Sequence, residues 1–191
     1  MKARFLTLGL ALFLVTGGAA SAGAQTIGAG VSFIGDERGT GVLLDYSSPF
    51  ASQSRDYTLG WVGEFNFNHR GFGNDFVGVT GGINTLLLQG GVRATGTASE
   101  KVSWQVQGLV GLIHSGFGTD AAGLNKDVCD LYDIDCSTGV SDNGAVLTIG
   151  GGVTYALTDK TGVRGQLDFP IAIGADGGGT TRFSIVLAFK R

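Results

Sequence analysis

Apolar residues recur at every second position along most of the chain. Over residues 102–113, Val102, Trp104, Val106, Val110 and Leu112 share one parity with Gly108, while Ser103, Gln105, Gln107, Leu109, Gly111 and Ile113 share the other. Successive side chains of a strand point to opposite faces, so this alternation predicts a strand. The same period returns around Tyr57, Leu59, Trp61, Phe65 and Phe67, opposed by Thr58, Glu64, Asn66 and Asn68. Leu86, Leu88 and Val92 oppose Gln89, Arg93 and Thr95; Leu147, Ile149, Val153, Tyr155 and Leu157 oppose Thr148 and Thr154. Val163, Leu167, Phe169 and Ile171 oppose Arg164, Gln166 and Asp168, and Phe183, Ile185, Leu187 and Phe189 oppose Arg182 and Ser184. Two weaker strands precede these. One spans residues 26–34, with Ile27, Ala29, Val31 and Phe33 on its apolar face; the other spans about 40–47, where Val42, Leu44 and Tyr46 alternate with Leu43 and Asp45. Together they predict an all-β chain of eight strands joined in sequence by hairpins.

The two faces of these strands decide the architecture. A soluble sandwich or barrel turns its apolar faces inward and its polar faces to water. Here nearly every strand carries large aromatic and aliphatic groups on one face, more than the narrow lumen of an eight-stranded barrel can hold. The opposite faces carry Glu64, Arg93, Gln105, Gln107, Arg164, Gln166, Asp168 and Arg182. Inverting the barrel removes the conflict: the apolar face meets lipid and the polar set fills the interior. Closure also removes the sheet edge, whose unpaired N–H and C=O groups hydrocarbon cannot satisfy. The fold expected is an eight-stranded antiparallel up-and-down transmembrane β-barrel.

Flanking signals agree. Residues 1–24 have a basic start at Lys2 and Arg4, an apolar stretch over 5–15 and the small-residue run Ala22-Gly23-Ala24, the pattern of a cleavable signal peptide. Residues 25–191 then form one barrel domain, and removing the signal takes the net charge from −3 to −5. No later segment offers an apolar run long enough for a membrane-crossing helix. An acidic chain with no basic cluster excludes nucleic acid as a partner. The connections at 96–101 and 158–161 are short, and those at 115–143 and 172–179 longer, matching periplasmic turns and external loops. Tyr46, Tyr57, Trp104, Tyr155 and Phe189 fall near the periplasmic strand ends, where an aromatic girdle meets the headgroups.

The run TLLLQGGVRATGTASEKVSWQVQGLVGLIH (85–114) and the ending RFSIVLAFKR resemble the outer membrane protein β-barrel domain family, small barrels similar to the membrane part of OmpA-type proteins. The resemblance covers the mature chain and rests on pattern. It implies residence in the bacterial outer membrane, contact with outer-membrane lipid and insertion by the barrel-assembly machinery. Such barrels usually end on an aromatic residue, whereas here Phe189 is followed by Lys190 and Arg191.

Candidate chemistry is sparse. Cys129 and Cys136, seven residues apart in an exported chain, are expected to form a disulfide. Metal binding by these sulfurs lacks further Cys or His ligands in the loop. The same loop holds Asp120, Asp127, Asp130, Asp133, Asp135 and Asp142 against Lys126; without the Gly and terminal Glu of a calcium loop, it reads as a solvated acidic surface. His114-Ser115 at a strand end faintly resembles the His-x-Ser-Asn motif of outer-membrane lipid A deacylases. The serine follows directly, no Asn accompanies the pair, and adjacent strand residues point to opposite faces. His69 is expected in a loop after Asn68. No enzymatic activity, cofactor or metal is expected. The interior charges read as a paired filling that leaves no open channel. The expected role is therefore envelope integrity or surface interaction through the external loops. The alternatives are a secreted or periplasmic lipocalin-like carrier of an apolar ligand, or a narrow low-conductance pore.

Overall fold

The computed structural model describes residues 25–35, 39–50, 57–74, 79–120, 137–173 and 178–191. Eight strands run in chain order: β1 (Thr26–Ile34), β2 (Gly39–Pro49), β3 (Tyr57–Asn74), β4 (Val79–Thr97), β5 (Val102–Asp120), β6 (Ser137–Ala156), β7 (Thr161–Ile173) and β8 (Arg182–Lys190). Each pairs antiparallel with its sequence neighbour, and β8 pairs with β1 to close the barrel. Each strand therefore has a partner on both sides, the requirement for crossing a lipid phase with strands.

The register gives the barrel its shape. From Pro49 on β2 the cross-strand partners run Gly60, Arg93, Gln107, Gly150, Asp168, Arg182 and Ile34, and return to β2 at Gly39, a stagger of ten residues. Ten residues of about 3.3 Å against eight strand spacings of about 4.8 Å tilt the strands by about 40°. The closing seam is held on its outer face by Phe33 and Phe183, cross-strand partners whose rings stack 6.4 Å apart.

One end of the barrel carries both chain termini and the connections 50–56, 98–101 and 157–160; the other carries 35–38, 75–78, 121–136 and 174–181. The tight turns are built by local bonds. Thr158 Oγ1 accepts from the Lys160 and Thr161 amides, and Ala98 and Ser99 donate to Val102 O. Gly35 leaves β1 with φ of 71°, a left-handed conformation that glycine adopts without strain. The length rule holds for the turns named from sequence, but 50–56 at the terminal end is longer than 35–38 at the far end.

The strands also run further than the alternation suggests. β5 continues to Asp120 and β6 begins at Ser137, so the connection expected over 115–143 shrinks to 121–136. β3 continues to Asn74, which moves His69 from the expected loop into a strand. In both cases the alternate positions that are apolar lower in the strand carry glycine instead (Gly71, Gly73, Gly116, Gly118). The period-two signal fades there although the ladder persists. Residues 1–24, Cys129, Cys136 and the acidic stretch around Asp127–Asp135 lie outside the described residues.

Candidate functional site

The outer wall is apolar. Trp104, Val106 and Leu112 are 37%, 52% and 66% exposed, and the aliphatic and aromatic groups of the other strands share that outward face. Of the expected girdle, Tyr57, Trp104, Tyr155 and Phe189 are exposed on the outer face at the terminal end. Tyr46 is half-buried and points outward between Ile27 and Gly63. The Trp104 ring lies across Gly96, covering backbone that has no side chain of its own. Phe50 meets Trp61 edge-on at 5.1 Å.

The lumen is polar and filled. All eight expected interior residues, Glu64, Arg93, Gln105, Gln107, Arg164, Gln166, Asp168 and Arg182, are at most 5% exposed. Sequence reasoning omitted Asp45 from this set, yet Asp45 pairs with two of its three arginines. Its two oxygens receive Arg93 Nη1 and Arg164 Nη2, each at 2.6 Å. From there the side chains close a ring. Arg93 donates to Gln107 Oε1 (2.9 Å from Nε), and Gln107 donates to Asp168 (3.0 Å). Gln166 donates to Asp168 (2.7 Å) and receives Gln105 (3.0 Å), and Arg164 returns to Gln105 (3.4 Å). Arg182 bridges Asp168 at 2.6 Å and also contacts Glu64. The ring draws on β2, β4, β5 and β7, with β3 and β8 attached through Glu64 and Arg182.

Charge is balanced inside. Among the described residues the buried ionic groups are the carboxylates of Asp45, Glu64 and Asp168 and the guanidinium groups of Arg93, Arg164 and Arg182. A charge withdrawn from water is tolerated only when paired, and each of these six groups has an oppositely charged partner. Room for the large side chains comes from inward-facing glycines. A Cβ on Gly28 would overlap the Asp45 carboxylate, and one on Gly150 would overlap that of Asp168. Toward the far end the filling turns neutral. Ser32, Asn66 and Asn68 bond to one another, Gln89 donates to Thr148 Oγ1 at 2.6 Å, and Leu43, Leu87 and Val146 are buried beside them. Alternation already placed Asp45, Asn66, Asn68, Gln89 and Thr148 on the inward face, and parity was the signal that could have added them.

The two histidines stand on the outer face in matched settings. His69 Nδ1 donates to Asn84 Oδ1 and His114 Nδ1 to Asn143 Oδ1, each at 2.8 Å and each between cross-strand partners. No Asn lies beside His114 in sequence; Asn143 reaches it across the β5–β6 ladder. Ser115 lies on the opposite face from His114, as alternation requires. At the far mouth of the lumen an open hollow of about 230 Å³ is lined by Asn68, His69, Arg70, Thr85 and Thr180 among others.

An apolar exterior around a charged, solvent-excluding interior defines a transmembrane β-barrel of the filled, eight-stranded kind. Solved structures of that class share the fold. A major outer membrane protein from Thermus thermophilus superposes with TM-score 0.68 at 13% identity, over 90% of this chain and 100% of that one. Ail, the attachment invasion locus protein of Yersinia pestis, gives 0.59 at 16% identity over 90% and 100%. Neisserial surface protein A gives 0.57 at 12% identity over 88% and 99%. No protein-family model and no curated protein sequence matches the chain.

Proposed function

We propose that this chain is a non-enzymatic barrel of the bacterial outer membrane, sealed by its side-chain ring, that serves the envelope and meets partners through its external connections. The observation that carries this reading is the inversion of polarity: Leu112 and Trp61 face outward while Arg164, Arg182 and Asp168 are at most 1% exposed inside. Connections on rigid scaffolds are where recognition concentrates. The terminal end, with the aromatic girdle and two tight turns, then faces the periplasm, and 121–136 faces outward. Insertion by the barrel-assembly machinery and contact with outer-membrane lipid follow from this placement.

Ail has been solved with the heparin analogue sucrose octasulfate. A polyanion is a poor match for this chain. Its longest external segment carries Asp127, Asp130, Asp133 and Asp135 against Lys126, which favours a neutral or cationic partner. A lipocalin-like carrier would need an apolar lumen, and the ring of charges argues against one.

Fractionation with protease shaving of intact cells tests compartment and orientation together. The expected result is sedimentation with outer membranes and cleavage confined to the 121–136 side. A soluble periplasmic pool, or cleavage only after the outer membrane is broken, contradicts the proposal. Within the same segment, Cys129 and Cys136 are proposed to be joined. Alkylation should add no mass before reduction and two adducts after it; two reactive thiols in the untreated protein would exclude the bond.

A further inference from the structure

The exposed His–Asn pairs mark a level on the barrel wall. Trp104 and His114 lie ten residues apart on β5 and face the same way. At about 3.3 Å per residue and about 40° of tilt, they are separated by about 25 Å along the barrel axis. That is the height of the apolar band on a barrel of this class. With Trp104 at one boundary, His114 is at the other. His69 shares its level. The ladder runs from His69 to Asn84 to Gly116. Two strand steps raise that rung by about two and a half residues at this stagger, and His114 is two residues below Gly116.

The chemistry of the patch is specific. Because Asn84 and Asn143 present Oδ1 to the rings, Nδ1 carries the proton in both histidines and the neutral ring offers Nε2 as an acceptor. Each Asn amide keeps N–H donors for an outside group. Between the pairs, Gly116 forms an open floor: a Cβ there would find no atom within 4 Å, and its cross-strand neighbours are Asn84 and Ser141. At this level the outward-parity positions of β3–β6 include no Lys, Arg, Asp or Glu among the described residues; Arg70 and the exposed Asp142, next to His69 and Asn143, take the opposite parity. An uncharged surface pairing ring acceptors with amide donors suits hydroxyl and carbonyl groups better than phosphate. Polar groups at the edge of hydrocarbon need such partners.

We propose that the outward face of β3–β6 around His69, Asn84, His114, Asn143 and Gly116 is a binding site for a glycolipid of the outer leaflet. Sugar hydroxyls donate to the two Nε2 atoms, and the Asn amides donate to sugar or acyl-carbonyl oxygens. The inference rests on the membrane-spanning reading above.

The test reconstitutes the full mature chain in phosphatidylethanolamine nanodiscs containing lipid A or its dephosphorylated form, and counts lipids retained in native mass spectrometry. Both forms should be retained over phosphatidylethanolamine. The His69→Ala/His114→Ala variant should lower retention about tenfold, the effect of losing two modest hydrogen bonds. Gly116→Leu, filling open space on the wall, should lower it while leaving heat-modifiable gel migration unchanged. Equal retention of phosphatidylethanolamine, retention of the phosphorylated form alone, or undiminished retention by both variants would overturn the proposal. Failure of the wild-type barrel to enter nanodiscs would instead overturn the membrane reading itself, and this site with it.

Discussion

Asp45 sits where two arginines converge, and its removal should be felt throughout the lumen. Asp45→Asn keeps the shape but leaves Arg93 and Arg164 without their shared counter-charge. Breaking a buried pair in this way costs about 3–5 kcal/mol. Equilibrium unfolding from lipid vesicles measures it, and a loss below about 1 kcal/mol would mean that the ring is solvated. Glycines offer a paired comparison. Gly150→Ala drives a Cβ into the Asp168 carboxylate. That overpacking should cost about 1–3 kcal/mol. Gly165 faces outward with nothing within 4 Å of a would-be Cβ. Gly165→Ala should be neutral, or stabilising by about 0.5 kcal/mol as the unfolded chain loses freedom. Equal effects at the two positions would contradict the inward placement of Gly150.

For single elements, the period-two pattern was legible wherever a strand crosses the apolar band, because lipid on one side and a polar lumen on the other enforce alternation. It fades where β3, β5 and β6 rise past that band, since nothing there demands an apolar face, and alternation alone therefore makes the loops too long. The interior set was legible by parity. Asp45 escaped because Leu43, on the same face of a short weak strand, is also buried and blurs the polar signal. The His–Asn pairs were not legible at all. His114 and Asn143 lie 29 positions apart, and their pairing depends on a register set by the ladder across a connection whose length the sequence does not announce. Turns can be tested in isolation. Thr158 Oγ1 holds two amides of the β6–β7 turn, so Thr158→Ala should destabilise by about 1 kcal/mol without altering the barrel. An unchanged unfolding midpoint would show that the tight ladder alone sets this turn.

Taken as a whole molecule, the barrel joins three conditions that support one another. Closure satisfies the backbone, the ten-residue stagger sets a lumen that side chains can fill, and charge neutrality lets that filling be ionic. The outer wall is then free to be apolar. Both tryptophans of the chain, Trp61 and Trp104, stand on that wall at 63% and 37% exposure, so all indole fluorescence reports on what surrounds the barrel. Refolding into vesicles whose acyl chains carry bromine, a contact quencher, should strongly quench the emission relative to unbrominated vesicles. Emission that is indifferent to bromine would place these side chains away from lipid and contradict the inverted barrel.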